Sequence, residues 1–246
     1  MVALVGILNI TPDSFSDGGQ FVPPDKALDQ AKKLFRDGAS IVDVGAESTR
    51  PGATVLTADE EWMRLEKVLP ELARRYPGKI SLDSYHPETI ERAFAIGPVI
   101  VNDVTGFCDP AMQAIAARHQ ARVIVSHLPG SDIQQAHRGK LIDDIQRVTS
   151  DLLQRANELI ERGLPRDYII LDPGIGFGKT PELNRQLLSF AREVPDYPVM
   201  IGYSRKRFLG ENRMESAPNL EAGREAITSG ATYLRVHDVL AHAALL

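Results

Sequence analysis

Cysteine is almost missing from this chain: of 246 residues only Cys108 is one. A lone thiol excludes an internal disulfide and a thiolate metal cluster, and it fits a reducing compartment such as the cytoplasm. It lies in a Gly-Phe-Cys-Asp-Pro stretch with nothing adjacent to lower its pKa, so it reads as an inert small residue. A basic excess is missing too. Lys+Arg total 28 against 33 Asp+Glu, a net charge of −5, so no broad positive field invites a nucleic acid or a membrane surface. Any anion site must come from a few placed cations and helix N-termini. The opening Met-Val-Ala-Leu-Val-Gly-Ile-Leu has no basic segment and is too short to span a membrane, so it reads as a strand and not as a signal peptide. Internal repeats, low-complexity tracts and linkers are absent, and residues 1–246 read as one domain with an ordinary 43% hydrophobic and 25% charged composition.

What is present is a repeated plan, clearest at Tyr168-Ile-Ile-Leu-Asp-Pro-Gly-Ile-Gly-Phe-Gly-Lys179. A short apolar run ends in a carboxylate, a glycine turn follows, and Pro181 opens a helical pattern. Similar runs are Ala3–Ile10, Ser40–Val44, Lys79–Leu82, Pro98–Val101, Arg122–Val125, Tyr168–Leu171, Pro198–Ile201 and Tyr233–Val236. Most are continuously apolar, as parallel strands covered on both faces are. Helical spacing fills the intervals at Lys26–Phe35, Asp59–Leu72, Glu88–Phe94, Ala111–Ala117, Asp143–Ile160, Pro181–Ala191 and Glu221–Thr228, and a short helix is expected after Asp238. Eight strands alternating with helices predict an α/β fold, a closed (β/α)8 TIM barrel with no N-terminal extension ahead of its first strand. An open doubly wound sheet gives the same local pattern.

All eight runs end in polar residues: Asn9, Asp43 with Glu47, Asp83, Asn102 with Asp103, Ser126 with His127, Asp172, Ser204, and Arg235 with His237. In a barrel these converge on one mouth, where active sites are built. Asn9 offers an amide oxygen suited to magnesium, and the loop after it, with Asp13, Asp17 and a Gly-Gly pair, reads as a closing loop or as a solvated turn. Arg50, held between Thr49 and Pro51, suits a phosphate fork or a surface position. Asp83, Asn102 and Asp172 together can read a planar heterocycle rich in N–H donors, and the carboxylates suit a developing cation. The alternative is that one or more of them pairs with an interior cation as a structural buttress. Alternation puts Arg235 and His237 on one side. With Arg50 and a magnesium at Asn9 they suit a pyrophosphate, leaving Lys206 for the organic part, although 205–207 also reads as a solvated basic turn.

Taken together, Asn9–Gly19, the Ser-Thr-Arg-Pro-Gly of Asp43–Gly52, Leu171–Lys179, Ser204-Arg-Lys206 and Arg235-Val-His-Asp238 resemble dihydropteroate synthase, over nearly the whole chain and in the family's order. The resemblance implies condensation of 6-hydroxymethyl-7,8-dihydropterin diphosphate with 4-aminobenzoate, giving dihydropteroate and pyrophosphate in folate biosynthesis. It implies that Asp83, Asn102, Asp172 and Lys206 hold the pterin. Asn9, Arg50, Arg235 and His237 would hold the diphosphate with Mg2+, and Phe15, Thr49, Pro51 and Phe177 would shape the aminobenzoate pocket. Loss of diphosphate would come first, with Asp83 and Asp17 stabilising the pterin cation. A cytoplasmic homodimer that sulfonamides inhibit is the implied setting.

Four departures stand out. Arg207 occupies a position where serine is common, Leu128 stands in a stretch that usually contains methionines, and an N-terminal extension is missing. Glu221 and Arg224 replace small apolar residues on a helix that often lies at the dimer interface. Two other readings are compatible with the motifs. One is a methyltetrahydrofolate-binding methyltransferase barrel, which has no use for the Arg50, Arg235 and His237 clamp. The other is a non-catalytic pterin-binding barrel.

Overall fold

The computed structural model describes residues 2–11, 23–49, 52–130, 132–136 and 139–246. Its strands are β1 (Ala3–Asn9), β2 (Ile41–Gly45), β3 (Ile80–Asp83), β4 (Ile100–Asp103), β5 (Val123–Ser126), β6 (Ile169–Asp172), β7 (Met200–Ile201) and β8 (Tyr233–Val236). All pairings are parallel and run in chain order, with β8 returning to lie between β1 and β7. The gap between β6 and β7 is closed by a single bridge, Leu171 to Val199, where the Leu171 N–H donates to the Pro198 carbonyl at 2.9 Å. The result is a (β/α)8 barrel, and each strand lies within two residues of its predicted limits.

Period-two alternation sorts the strand residues into two cores. Leu4 and Leu8 of β1, Val42 and Val44 of β2, and Leu82 of β3 point outward into the layer shared with the helices. Val5, Ile41, Ile100, Ile124, Ile170 and Met200 point inward, with Tyr233 packed on them, and plug the barrel's lower half. Two residues further along several of these strands the inward positions turn polar: Asp43 follows Ile41, Asn102 follows Ile100, Asp172 follows Ile170, and Arg235 follows Tyr233. The sheet thus carries an apolar tier beneath a charged one.

The helices form where spacing and caps agree. Pro24–Arg36 buries Ala27, Ala31 and Leu34, spaced four and three apart, so one face seals the barrel wall. Burial of Leu34 alone contributes about 1.5–3 kcal/mol. Thr57 and Glu60 make a reciprocal capping box at the start of Ala58–Leu65, and the side chains of Asp109, Asp144 and Thr180 cap three later helices.

The expected single helix over Asp59–Leu72 is instead two, Ala58–Leu65 and Leu69–Arg75. Pro70 has no N–H to give to the Glu66 carbonyl, so the ladder breaks there. The pattern over Pro181–Ala191 likewise divides into an α-helix, Pro181–Gln186, and a 3-10 segment, Leu187–Arg192. The helix read from Glu221 starts earlier, at Ser216. A one-turn helix, Ile133–Ala136, was not anticipated, being too short to show a period.

Candidate active site

The mouth at the C-terminal ends of the strands is organised around Arg235. Leaving β8 inward, its guanidinium donates through Nε to Asp43 Oδ2 at 2.6 Å and through Nη2 to Asp83 Oδ2 at 2.7 Å. Asp43 is completely buried, and its carboxylate also accepts from the Asn102 amide nitrogen at 3.2 and 3.1 Å. That contact fixes the amide: an oxygen in the same place would face two carboxylate oxygens. The Asn102 Oδ1 is therefore turned away from Asp43 and kept as an acceptor. The sequence leaves open an interior cation buttressed by one of these acids, and Asp83 is such a partner of Arg235. Burial pushes the Asp83 carboxyl up, Arg235 pulls it down and Asp43 pushes it up again; burial wins.

Opposite this cluster stand Asp172 and Lys206, separated by Gly202 at the end of β7. The place a Gly202 side chain would occupy lies 3.5 Å from Asp172 Oδ2, 3.8 Å from Lys206 Nζ and 3.9 Å from Arg235 Cβ. A glycine therefore leaves a hollow edged by a carboxylate, an ammonium and the Arg235 stem. Asp172 spends one oxygen on the Gly174 N–H at 2.7 Å. Burial raises its carboxyl, against the opposing charge of Lys206. Lys206 donates to the Ile175 carbonyl and lies 5.4 Å from the centre of the Phe177 ring. Burial lowers its ammonium to about 8, with Asp172 opposing and Arg235 assisting.

The glycine turn after β6 is held by an ammonium buried beneath it. Lys179 Nζ donates to the carbonyls of Gly174 at 2.9 Å, Phe177 at 3.1 Å and His127 at 3.2 Å. Gly174 has φ of +63°, and a Cβ there would stand 2.0 Å from the His127 oxygen, so no other residue fits. Burial lowers the Lys179 ammonium to about 7. This anchored turn delivers both the Ile175 carbonyl and Phe177 to Lys206.

Of the residues singled out in the sequence, Asp83, Asn102, Asp172, Lys206, Phe177 and Arg235 come together at this mouth. His237, half-buried, extends the same face of β8, its Nδ1 3.0 Å from Ser204 Oγ. Asn9 ends β1 and Thr49 lies in the loop after β2, both half-buried at the same rim. Phe15, Asp17, Arg50 and Pro51 lie outside the described residues. Asp103, paired with Asn102 in the sequence reading, faces the other way. Its carboxylate accepts from the Thr105 N–H at 2.7 Å and the Phe107 N–H at 3.0 Å and shapes the turn after β4. The unassigned residues are Asp43 and Lys179. An acid two positions beyond the inward Ile41 was the available signal for the first; nothing in sequence marked the second as buried. Cys108 agrees with its inert reading, its thiol donating to the Thr105 carbonyl and raised by burial.

A family model described as pterin binding enzyme matches residues 5–237. The chain is 38% identical over 250 residues to the dihydropteroate synthase of Streptococcus pyogenes serotype M3 (strain ATCC BAA-595 / MGAS315), covering 98% of this chain and 91% of that protein. Among solved structures, dihydropteroate synthase of Xanthomonas albilineans with 4-aminobenzoic acid superposes with a TM-score of 0.89 at 34% identity, covering 99% of this chain and 90% of that one. The Yersinia pestis dihydropteroate synthase with a sulfonamide drug does so with a TM-score of 0.89 at 31% identity, covering 99% and 91%.

Proposed function

The chain belongs to the pterin-binding enzymes and, within them, to the dihydropteroate synthases, and from that premise we propose how its residues join 6-hydroxymethyl-7,8-dihydropterin diphosphate to 4-aminobenzoate. The observation that carries the reading is the charged tier itself. Inside one barrel mouth it offers acceptors for a heterocycle's N–H groups and cations for a departing anion.

The pterin enters the hollow beside Gly202. The Asn102 Oδ1 and the Asp172 oxygen not used by Gly174 accept from its ring N–H and amino groups, Lys206 donates to its ring acceptors, and Phe177 covers one side. Diphosphate leaves the pterin methylene carbon in an SN1-like step. The carboxylates of Asp83 and, from the loop after β1, Asp17 stabilise the cation left behind. Arg235 keeps N–H groups beyond those given to Asp43 and Asp83, and with Arg50 and His237 it receives the diphosphate. The amine of 4-aminobenzoate, held against Phe15, Thr49, Pro51 and Phe177, then attacks the methylene carbon and loses a proton.

Asn9 fits magnesium as a partial ligand. Magnesium keeps several waters and takes oxygens from substrate phosphates, so a single amide at the rim suffices, and among the described residues no group of three His, Cys, Asp or Glu gathers to hold a metal unaided. When bound, the ion would neutralise charge on the leaving diphosphate.

No helix among the described residues is long and apolar enough to cross a membrane; the cytoplasmic setting is inferred from the lone thiol. A homodimer is expected from the family likeness alone; on the helix Ser216–Thr228 the exposed Glu221 lies 3.6 Å from Arg185 of its own chain. A sulfonamide, as a mimic of aminobenzoate, is expected to compete for the pocket of Thr49 and Phe177.

The test is pyrophosphate release from the pterin diphosphate, with and without aminobenzoate and magnesium, by wild type and Asp83→Ala. Magnesium-dependent release stimulated by aminobenzoate and lost in Asp83→Ala is the expected result. Undiminished release by Asp83→Ala removes that residue from the mechanism, and binding without any release points to a non-catalytic barrel.

A further inference from the structure

The loop that follows β2 carries Thr49 and Arg50, and one carboxylate outside the charged tier fastens it. Glu47 opens this loop, and its side chain is only 6% exposed. Its Oε1 accepts from the Leu56 N–H at 3.3 Å, nine residues further on, so the same carboxylate ties the two ends of the loop together. Oε1 also accepts from the Tyr85 hydroxyl at 2.6 Å, and Oε2 lies 3.0 Å from His86 Nε2. Tyr85 and His86 belong to the segment that leaves β3 just after Asp83, and their rings lie against each other, 4.3 Å between centroids.

Those partners are themselves held. The His86 N–H donates to Ser84 Oγ at 3.2 Å, and Ser84 Oγ donates to the buried Glu61 at 2.7 Å. From the helix Ala58–Leu65, Arg64 donates to the Ala46 carbonyl at 2.8 Å, steadying the base of the loop. An exposed ion pair between surface chains would matter little. Here the pair is largely dry, the carboxylate gathers three donors, and two of them come from a neighbouring strand's end. That arrangement transmits position.

We propose that Glu47 is a positioning residue for the substrate contact of Thr49, fixing Thr49 relative to the barrel mouth. The proposal rests on the assignment of Thr49 to aminobenzoate made above. It separates two kinds of binding. A pterin alcohol without phosphate meets residues carried on the strand ends and on the loops after β6 and β7. Aminobenzoate meets the fastened loop.

The experiment compares wild type, Glu47→Ala, Glu47→Gln and Tyr85→Phe. It measures KM for 4-aminobenzoate by steady-state turnover, Kd for 6-hydroxymethylpterin by calorimetry, and Tm. Losing charged hydrogen bonds at the fastening should raise the aminobenzoate KM of Glu47→Ala roughly tenfold or more. Glu47→Gln and Tyr85→Phe, which keep most of the shape, should raise it by smaller factors in that order. The Kd for hydroxymethylpterin should stay within about twofold of wild type, because its partners do not touch Glu47. A drop in Tm with both constants unchanged, or a parallel rise in both across the series, overturns the proposal, since each is what a merely structural residue gives. Should Glu47→Ala fail to fold, Tyr85→Phe decides alone by the same two constants. A wild type that binds hydroxymethylpterin but never turns over refutes the synthase reading and takes this proposal with it. A competent wild type with indifferent Glu47 variants refutes only the role of Glu47.

Discussion

The lower and upper tiers of the barrel interior are built from the same strands, two residues apart, and they obey opposite rules. Below, Val5, Ile41, Ile100, Ile124, Ile170 and Met200 fill the space with apolar volume. Above, Asp43, Asp83, Asp172, Lys206 and Arg235 fill it with charge beside the Asn102 amide, and Arg235 bonds two of the acids at 2.6 and 2.7 Å. The lower tier depends on shape, and each residue contributes through its own volume. The upper tier depends on mutual pairing, because a buried charge without its partner is far more costly than a small cavity. Folding strength and reactive groups are thereby separated by one step of the pleat.

The sharpest way to break that contrast is to remove the cation. Arg235→Met leaves Asp43 and Asp83 facing each other in a buried site, and the expected loss in urea unfolding is about 3–5 kcal/mol. The loss should shrink as pH falls. Burial already raises the Asp83 carboxyl, and without the opposing Arg235 it titrates higher still in the folded chain than in the unfolded one, so its protonation favours the fold. A variant as stable as wild type at neutral pH would mean that the upper tier is not held by pairing.

A second comparison uses Lys206, whose ammonium is lowered to about 8. In the free enzyme the charge is present below that pH and lost above it, so kcat/KM for the pterin diphosphate should fall about tenfold per pH unit beyond it. Lys206→Arg keeps its charge throughout, and the falling limb should move out of the range even if the overall rate drops. A limb unmoved by the substitution assigns it to another group. The smallest effect is expected below: Ile170→Val should cost about 1 kcal/mol, with kcat unchanged. A large change in kcat there would show that the tiers are not separable.

Much of this was legible in the sequence, for a definite reason. Parallel strands covered on both faces are continuously apolar, so β1 to β8 announced themselves, and the polar residue closing each run marked the mouth. Direction was the harder part. The pair Asn102-Asp103 reads as two strand-end polar groups, yet one pleat sends Asn102 into the barrel mouth beside Asp43 and Asp103 to the turn after β4. Asp43 was visible as an acid in an apolar run, but its partnership with a residue 192 positions away is set by barrel closure. Lys179 looked like the end of a glycine loop and is a buried clamp on three carbonyls. The residues expected on the loops after β1 and at 50–51 rest on the motif alone.

The barrel is also not equally tight all the way round. Seven of its strand junctions are ladders, whereas β6 meets β7 through the one bridge at Leu171 and Val199, and β7 itself has two residues. Amide hydrogens should exchange soonest along that seam, because local opening there breaks the fewest bonds. Asp172 stands at one lip of it and Gly202, with Lys206 beyond, at the other. The weakest join in the wall therefore runs beneath the hollow beside Gly202, and a ligand bridging Asp172 and Lys206 would act as a rivet across it, slowing exchange at β6 and β7 before it slowed exchange anywhere else.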